Sequence, residues 1–235
     1  MLNDYFVYDG VNSKTLGLQL QSFVEVASPN ANVTTKKVPG MNGVLNMWDG
    51  SYGNRECVAN CFVLENYVND YVSNILQLGF RNSTYRRLEL SNDPDCFMMA
   101  RLESAGDTDV RCGVLAPIKL KFDCKPQKYT KSGEFPLTFS KSGKLYNTGM
   151  TALPLITVYG NGSGKIKVGG TAVTINSISS YVTLDCEIQD AYKGLENKNS
   201  TISADEFPQL GPGENSISFS GDITKLEITP RWWHL

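Results

Sequence analysis

Apolar and polar residues alternate near the end of the sequence, and this pattern favours extended β-strands. Ile217 and Phe219 fall on one face of an extended chain, while Ser216, Ser218 and Ser220 fall on the other. Gly221–Asp222 predicts a tight turn, after which Leu226 and Ile228 return apolar residues to the first side. The stretch therefore predicts a terminal β-hairpin that forms part of a sandwich.

The composition favours many short strands over helices. At 235 residues and 41% hydrophobic residues, the chain can bury one large core or two ordinary ones, and we expect two β domains. The net charge of −2 gives no general attraction to nucleic acid. No apolar run approaches the roughly 20 residues that a bilayer span needs. We expect a soluble protein with neither a membrane nor a sequence-specific nucleic-acid partner.

The six cysteines are predicted to be structural thiols. The segment from Met1 to Phe6 lacks a basic stretch followed by an apolar one, so we expect folding in a reducing cytoplasm. Cys57 and Cys61 lie in an extended segment, where four residues span roughly 13 Å. That separation is too large for a disulfide or a shared metal.

The sequence pattern predicts two domains and one helix. Residues 1–130 read as an N-terminal sandwich, residues 131–147 as a joint rich in Lys, Ser and Gly, and residues 148–235 as a second sandwich. Helical spacing of apolar residues predicts one helix over 66–78. In the second domain, Gly169–Gly170 predicts a two-residue hairpin turn. The glycine-rich run 160–164 reads as a flexible hairpin loop, because it lacks the ending of a phosphate-binding loop.

No residue pattern predicts catalysis, a metal site or a bound cofactor. The single histidine, His234, is penultimate, where a rigid catalytic geometry is seldom maintained. Asp185 and Glu187 alternate onto one strand face and are interpreted as a solvated strand end. We therefore expect a protein that is not an enzyme.

Four segments stand out by their order and spacing. They are Val38–Gly43 before an extended run, Arg87–Asp95 after the predicted helix, Phe122–Tyr129 at the joint, and Phe207–Pro208 through Pro230–Trp233. Taken together, they resemble the distal tail proteins (Dit family) of siphovirus-type bacteriophages, and the similarity runs over nearly the whole length.

The resemblance implies a mainly β fold: an N-terminal β-sandwich with one α-helix and an arm-like loop, then a C-terminal galectin-like β-sandwich. It implies a hub at the virion tail tip, assembled in the host bacterial cytoplasm as a homohexameric ring. The ring would join the tail-tube protein to the tail-associated hub or lysin protein, next to the tape measure protein, and would support a receptor-binding protein. Such a hub needs no cofactor.

A ring subunit needs surface that it shares with its neighbours and an arm that reaches one of them. The polar segment Ala27–Lys37 and the following turn are candidates for that arm, with an ordinary intramolecular loop as the alternative. The candidate assembly residues are Val38, Pro39, Gly40, Met41, Asn42, Gly43, Trp48, Trp232 and Trp233. Burial within their own domain is the alternative for the three tryptophans.

A second function also fits the predicted fold. A galectin-like sandwich with loop aromatics such as Tyr159 and Tyr192 would suit a lectin-like adhesin that binds host cell-wall carbohydrate.

Overall fold

The computed structural model describes residues 4–63, 84–105 and 116–235. The chain divides into two compact units, the first ending at Lys128 and the second running from Tyr129 to His234. The described residues are mostly β-structure in curled sheets with a sandwich-like architecture, which confirms the predicted fold class. The helix predicted over 66–78 lies outside the described residues.

Short alternating segments give the first unit its strands. These are β1 (Phe6–Tyr8), β2 (Val11–Asn12), β3 (Leu18–Leu20), β4 (Glu25–Val26), β5 (Ala31–Lys36), β6 (Leu45–Tyr52), β7 (Arg55–Val63), β8 (Arg86–Leu90), β9 (Asp93–Ala105) and β10 (Ala116–Thr130), with a 3₁₀ helix at Ser13–Leu16. The main sheet has the order β2-β1-β8-β9-β10-β7-β3, and β4 also pairs with β7. Among the described strands, β5 and β6 pair only with each other.

The main sheet of the first unit encloses an apolar core. Alternate residues of β10 point inward, and Phe122 lies at the centre, 1% exposed. Its ring meets Phe6 edge-on at 5.6 Å between centroids and Tyr8 at 5.3 Å. Such aromatic contacts add specific geometry to the area that the core buries.

The cysteines of the described residues are free thiols, as predicted. Cys57, Cys61, Cys124 and Cys186 are buried, and Cys96 is partly exposed. Burial raises the pKa of Cys61 to about 12, so its thiol stays protonated at neutral pH. The four buried cysteines therefore pack in the cores as small apolar residues.

The second unit is built on three long strands. Its elements are a 3₁₀ helix at Lys131–Glu134, β11 (Leu137–Phe139), β12 (Gly143–Asn147), β13 (Leu155–Val168), β14 (Thr171–Asp185), β15 (Asp190–Lys193), β16 (Glu196–Asn197), a 3₁₀ helix at Asn199–Thr201, β17 (Ile202–Ser203), β18 (Gly213–Thr229) and β19 (Trp233–His234). The sheet order is β11-β18-β13-β14-β15-β16, with β12 on β18 and β17 on β14. The segment 131–147, predicted as a joint, thus carries two strands that pair with β18.

Glycines in β13 and β18 meet where the pairing becomes irregular. The register between the two strands shifts between Gly160 and Gly164, and Gly164 pairs with Gly221. A Cβ at Gly221, whose φ is 79°, would lie 2.6 Å from the Ser163 carbonyl oxygen. The glycines therefore allow two backbones to approach inside continuous strands.

Two local predictions are consequently wrong, and one is confirmed. The sequence Gly221–Asp222 forms no turn, because β18 runs unbroken from Gly213 to Thr229. The run 160–164 is no hairpin loop, because it lies within β13. Gly169–Gly170 does form the turn between β13 and β14, where Val168 pairs with Thr171.

Residues on both sides of the irregularity share one core. Ile156 and Val158 precede it in β13, Ile166 and Val168 follow it, and all four are fully buried in the same cluster. The sheet therefore curls so that the two halves of its long strands cover each other, which produces a sandwich from few strands.

Replacing Gly221 by Ala should destabilise the second unit. The added methyl meets the Ser163 carbonyl and forces a left-handed residue, which together cost about 2–4 kcal/mol. Urea unfolding of the full chain, followed by circular dichroism, measures this loss. Gly170→Ala is the matched control, because nothing lies within 4 Å of a Cβ there, and its effect should stay within about 0.5 kcal/mol. Equal unfolding midpoints for the two variants would contradict the close-approach explanation.

Candidate assembly surface

The strands β5 and β6 form an exposed hairpin in the first unit, which we call the arm hairpin (residues 30–51). Every residue in this range is exposed. Its large apolar side chains are Val33, Val38, Met41, Val44, Leu45, Met47 and Trp48, each at least 36% exposed. Because isolated apolar residues on a surface are ordinary but a concentrated set is not, this element is the candidate assembly surface.

The segment predicted as an arm, or alternatively as an ordinary loop, forms a β-hairpin. Its outgoing strand takes up Ala31–Lys36, and the predicted turn residues Val38–Gly43 connect the strands. At the tip, the Met41 amide donates to the Val38 carbonyl at 3.2 Å. Gly40 and Gly43 have φ of 80° and 88°, which explains why glycine occupies these positions.

The Trp48 side chain is fixed by contacts within the arm hairpin although it is 53% exposed. Its Nε1–H donates to the Ser51 carbonyl at 2.8 Å. Its ring meets the ring of Tyr52 at 5.5 Å in an edge-on contact. The indole thus has no polar atom that needs water, and a partner could bury it at little desolvation cost.

The polar groups beside Trp48 are also paired within the hairpin. Asp49 accepts hydrogen bonds from the Ser51 amide at 2.8 Å and from the Ser51 hydroxyl at 2.7 Å. The Ser51 hydroxyl also accepts from Asn32 Nδ2 at 2.8 Å. The hydrogen bonds from Ser51 lower the pKa of Asp49. This network fixes the end of the hairpin next to the indole.

Trp232 and Trp233, the other predicted anchors, have a different setting. Both lie in the second unit and are partly buried against its core. The Trp233 Nε1–H donates to the Thr151 carbonyl at 2.9 Å, and the Thr130 amide donates to the Trp232 carbonyl at 2.9 Å. Much of their apolar surface is therefore used inside their own unit, whereas Trp48 is available.

An ion pair holds the end of the chain in place. Arg231 donates to both carboxylate oxygens of Asp185, at 2.7 and 3.0 Å, and lies 3.3 Å from Glu187. Its amide donates to the Gly133 carbonyl at 2.9 Å, and its φ is 56°. This bidentate geometry fixes the residue that precedes the two tryptophans.

The interpretation of Asp185 as a solvated strand end is wrong, because Asp185 is only 8% exposed. Burial by itself would raise its pKa, but the hydrogen bonds and charge of Arg231 outweigh burial and lower it. The hydrogen bonds to Asp185 also raise the pKa of Arg231. Sequence reasoning missed this pair, because the two residues are 46 positions apart.

The aromatic residue proposed for sugar binding is already engaged within the second unit. The Tyr159 hydroxyl donates to Glu227 at 2.8 Å, and Lys225 Nζ lies 4.1 Å from the centroid of its ring. Tyr192, the other candidate, is partly buried in β15. A sugar that stacks on the ring face covered by Lys225 would have to displace the lysine, so this contact does not favour the adhesin, which stays a prediction.

Within residues 4–63, 84–105 and 116–235, no three His, Cys, Asp or Glu side chains are grouped as metal ligands. Over the same residues, no helix is long and apolar enough to cross a membrane.

Among solved structures, the chain is similar to the Dit protein (gp 19.1) of SPP1, a paradigm of the hub adsorption apparatus in phages that infect Gram-positive bacteria. The TM-score is 0.72 and the identity 16%, over 96% of this chain and 98% of that chain. The chain has a Dit-like fold. No family model matches the sequence. No curated protein matches it either.

Replacing Asp185 by Asn should lower the free energy of unfolding by about 1–3 kcal/mol at pH 7, because Arg231 loses its bidentate charged partner and keeps Glu187, 3.3 Å away. The folded-state pKa of Asp185 lies below its unfolded value of about 3.9. Its stabilisation is therefore complete above about pH 5 and is lost as the pH falls through the folded-state pKa.

Urea unfolding from pH 7 to pH 3 tests this linkage, and the deficit of the variant should shrink as the pH falls. Glu214→Gln is the control, because its ion pair with Lys144 is 2.8 Å long but well exposed. A deficit that stays constant with pH would show that the Arg231–Asp185 charge pair does not carry the effect.

Proposed function

We propose that this protein is a structural hub of a phage tail tip, in which copies of the chain assemble into a ring through the arm hairpin. The arm hairpin carries the proposal, because it is the element of the described residues that places a concentrated apolar surface in water. The Dit-like fold supports the same role by analogy with the SPP1 hub protein.

The dimensions of the arm hairpin suit contact with a neighbour. Its strand β6 has 8 residues and spans roughly 27 Å at about 3.4 Å per residue. A two-stranded hairpin alone is marginally stable in water, so docking supplies what its own packing lacks. A hairpin on one copy and its receiving surface on the next are different patches, and such head-to-tail contacts form a ring when the rotation between copies closes.

The hub works by docking, with no bond made or broken. The ring, homohexameric by the resemblance, joins the tail-tube protein to the tail-associated hub or lysin protein and lies next to the tape measure protein. It supports a receptor-binding protein at the virion tail tip, after assembly in the bacterial cytoplasm. Each of these partners is a prediction from the resemblance.

Replacing Trp48 by Ser should impair assembly without unfolding the subunit. A buried tryptophan anchor typically contributes about 2–4 kcal/mol to an interface, whereas in the free subunit Trp48 is 53% exposed. Native mass spectrometry across a concentration series should therefore show the ring of the wild type and a shift to monomers in the variant. The thermal unfolding midpoint of the dissociated subunit should stay unchanged.

The matched control is Tyr146→Ser, which removes an aromatic that is 71% exposed in the second unit. It should assemble like the wild type. Assembly of Trp48→Ser at wild-type concentrations would contradict the role of the arm hairpin. A wild-type protein that stays monomeric at every concentration, and is absent from isolated tail tips, would contradict the hub itself.

A further inference from the structure

We infer that both faces of the arm hairpin are buried against neighbouring copies of this chain, so that the hairpin is inserted between surfaces and does not lie on one. This inference rests on the proposed ring and specifies how the hairpin is held in it. It starts from the register of β5 and β6.

The register sends apolar side chains to both sides of the hairpin. Val33 lies opposite Trp48, and Lys36 lies opposite Leu45. Paired residues of antiparallel strands point to the same face, and consecutive residues point to opposite faces. Val33 and Trp48 therefore form a front face, while Leu45 and Met47 lie on the back face.

The two faces are equally open to water in the single chain. Val33 and Trp48 on the front are 44% and 53% exposed, and Leu45 and Met47 on the back are 42% and 47% exposed. A partner that covered only one face would leave the other in water, although both carry similar apolar side chains. Burial of both faces removes that cost.

The charge of the arm hairpin favours a protein surface as the occupant. Its charged residues are Lys36, Lys37 and Asp49, and Asp49 already accepts two hydrogen bonds from Ser51. So few cations cannot bind a phosphate backbone or an anionic bilayer strongly. A surface that is nearly neutral and apolar matches a nearly neutral protein partner.

A second copy of this chain is the simplest partner with a nearly neutral protein surface that could cover the arm hairpin. The net charge of the whole chain is only −2, so copies repel each other weakly. In a head-to-tail ring, every copy donates one hairpin and receives another. Because Met47 and Trp48 are adjacent in the chain but point to opposite faces, burial of both requires contact surfaces on the two sides of the hairpin.

The pair Met47 and Trp48 also provides the test, because two oxidisable side chains report on opposite faces. Hydroxyl-radical footprinting of the purified full chain, read by mass spectrometry, compares the assembled form with the dissociated form. We expect the oxidation rates of both residues to fall several-fold on assembly. Tyr146, 71% exposed in the second unit, is the internal control and should be oxidised equally in both forms.

The outcomes separate this inference from the proposed function. A ring in which Trp48 is protected and Met47 is not would overturn the inference and leave the hub intact. Protection of Met47 only after another tail protein is added would also overturn it, because that protein would then be the occupant. Absence of any ring would overturn both.

A substitution on the back face gives a second measurement. Met47→Ser should weaken self-association at least about tenfold, as expected for the loss of a buried apolar side chain. Thr34→Ser is its matched control, because Thr34 lies opposite Met47 on the same face and keeps its hydroxyl. Equal association of Met47→Ser and the wild type would overturn burial of the back face.

Discussion

A two-stranded hairpin has no second layer to cover its side chains, and this constraint determines what the first unit can do. The main sheet closes its own core around Phe122 without help from the arm hairpin. The arm hairpin instead keeps Trp48 in water while satisfying the indole N–H internally at 2.8 Å. Such an element has hydrogen bonds of its own but contributes nothing to the core, so only a partner can supply the second layer that buries its apolar side chains. In the proposed ring, assembly and stabilisation of the hairpin are therefore the same event.

The second unit uses its tryptophans in the opposite way. Arg231 and Asp185 fix the end of the chain, and Trp232 and Trp233 pack against the core that this end helps to close. Tryptophan therefore has two different environments in this chain. The Trp233 indole N–H donates to the carbonyl of Thr151, a distant loop residue, whereas the Trp48 indole N–H donates to the carbonyl of Ser51, three residues along the same strand. The sequence alone makes each of the three tryptophans a potential interface anchor. In the structure, only Trp48 leaves most of its surface exposed and therefore available to a partner.

Sequence periodicity predicts the class of the fold well, because strand alternation and hairpin turns are local properties. The turn at Gly169–Gly170 is found where the pattern places it, and residues 38–43 lie between two strands, as their turn chemistry predicts. Long-range contacts are less accessible. Gly221 has the chemistry of a turn residue, but its role depends on the Ser163 carbonyl in another strand, which no local window contains. The same holds for Asp185, whose partner Arg231 is 46 residues away. The exposure of the arm hairpin is also a long-range property, because it depends on whether any other part of the chain packs against it.

The fold that this chain shares with SPP1 Dit at 16% identity imposes few fixed side chains. Curled sheets need apolar residues at alternate positions and glycine where backbones touch, and many sequences meet those conditions. An enzyme adds reacting groups whose identity cannot change, whereas a hub that works by docking needs only complementary surfaces. The two sides of such a contact can change together as long as their fit is kept. Trp48, Met47 and the other arm residues must therefore be assessed by the packing of this chain, because the fold alone does not specify them.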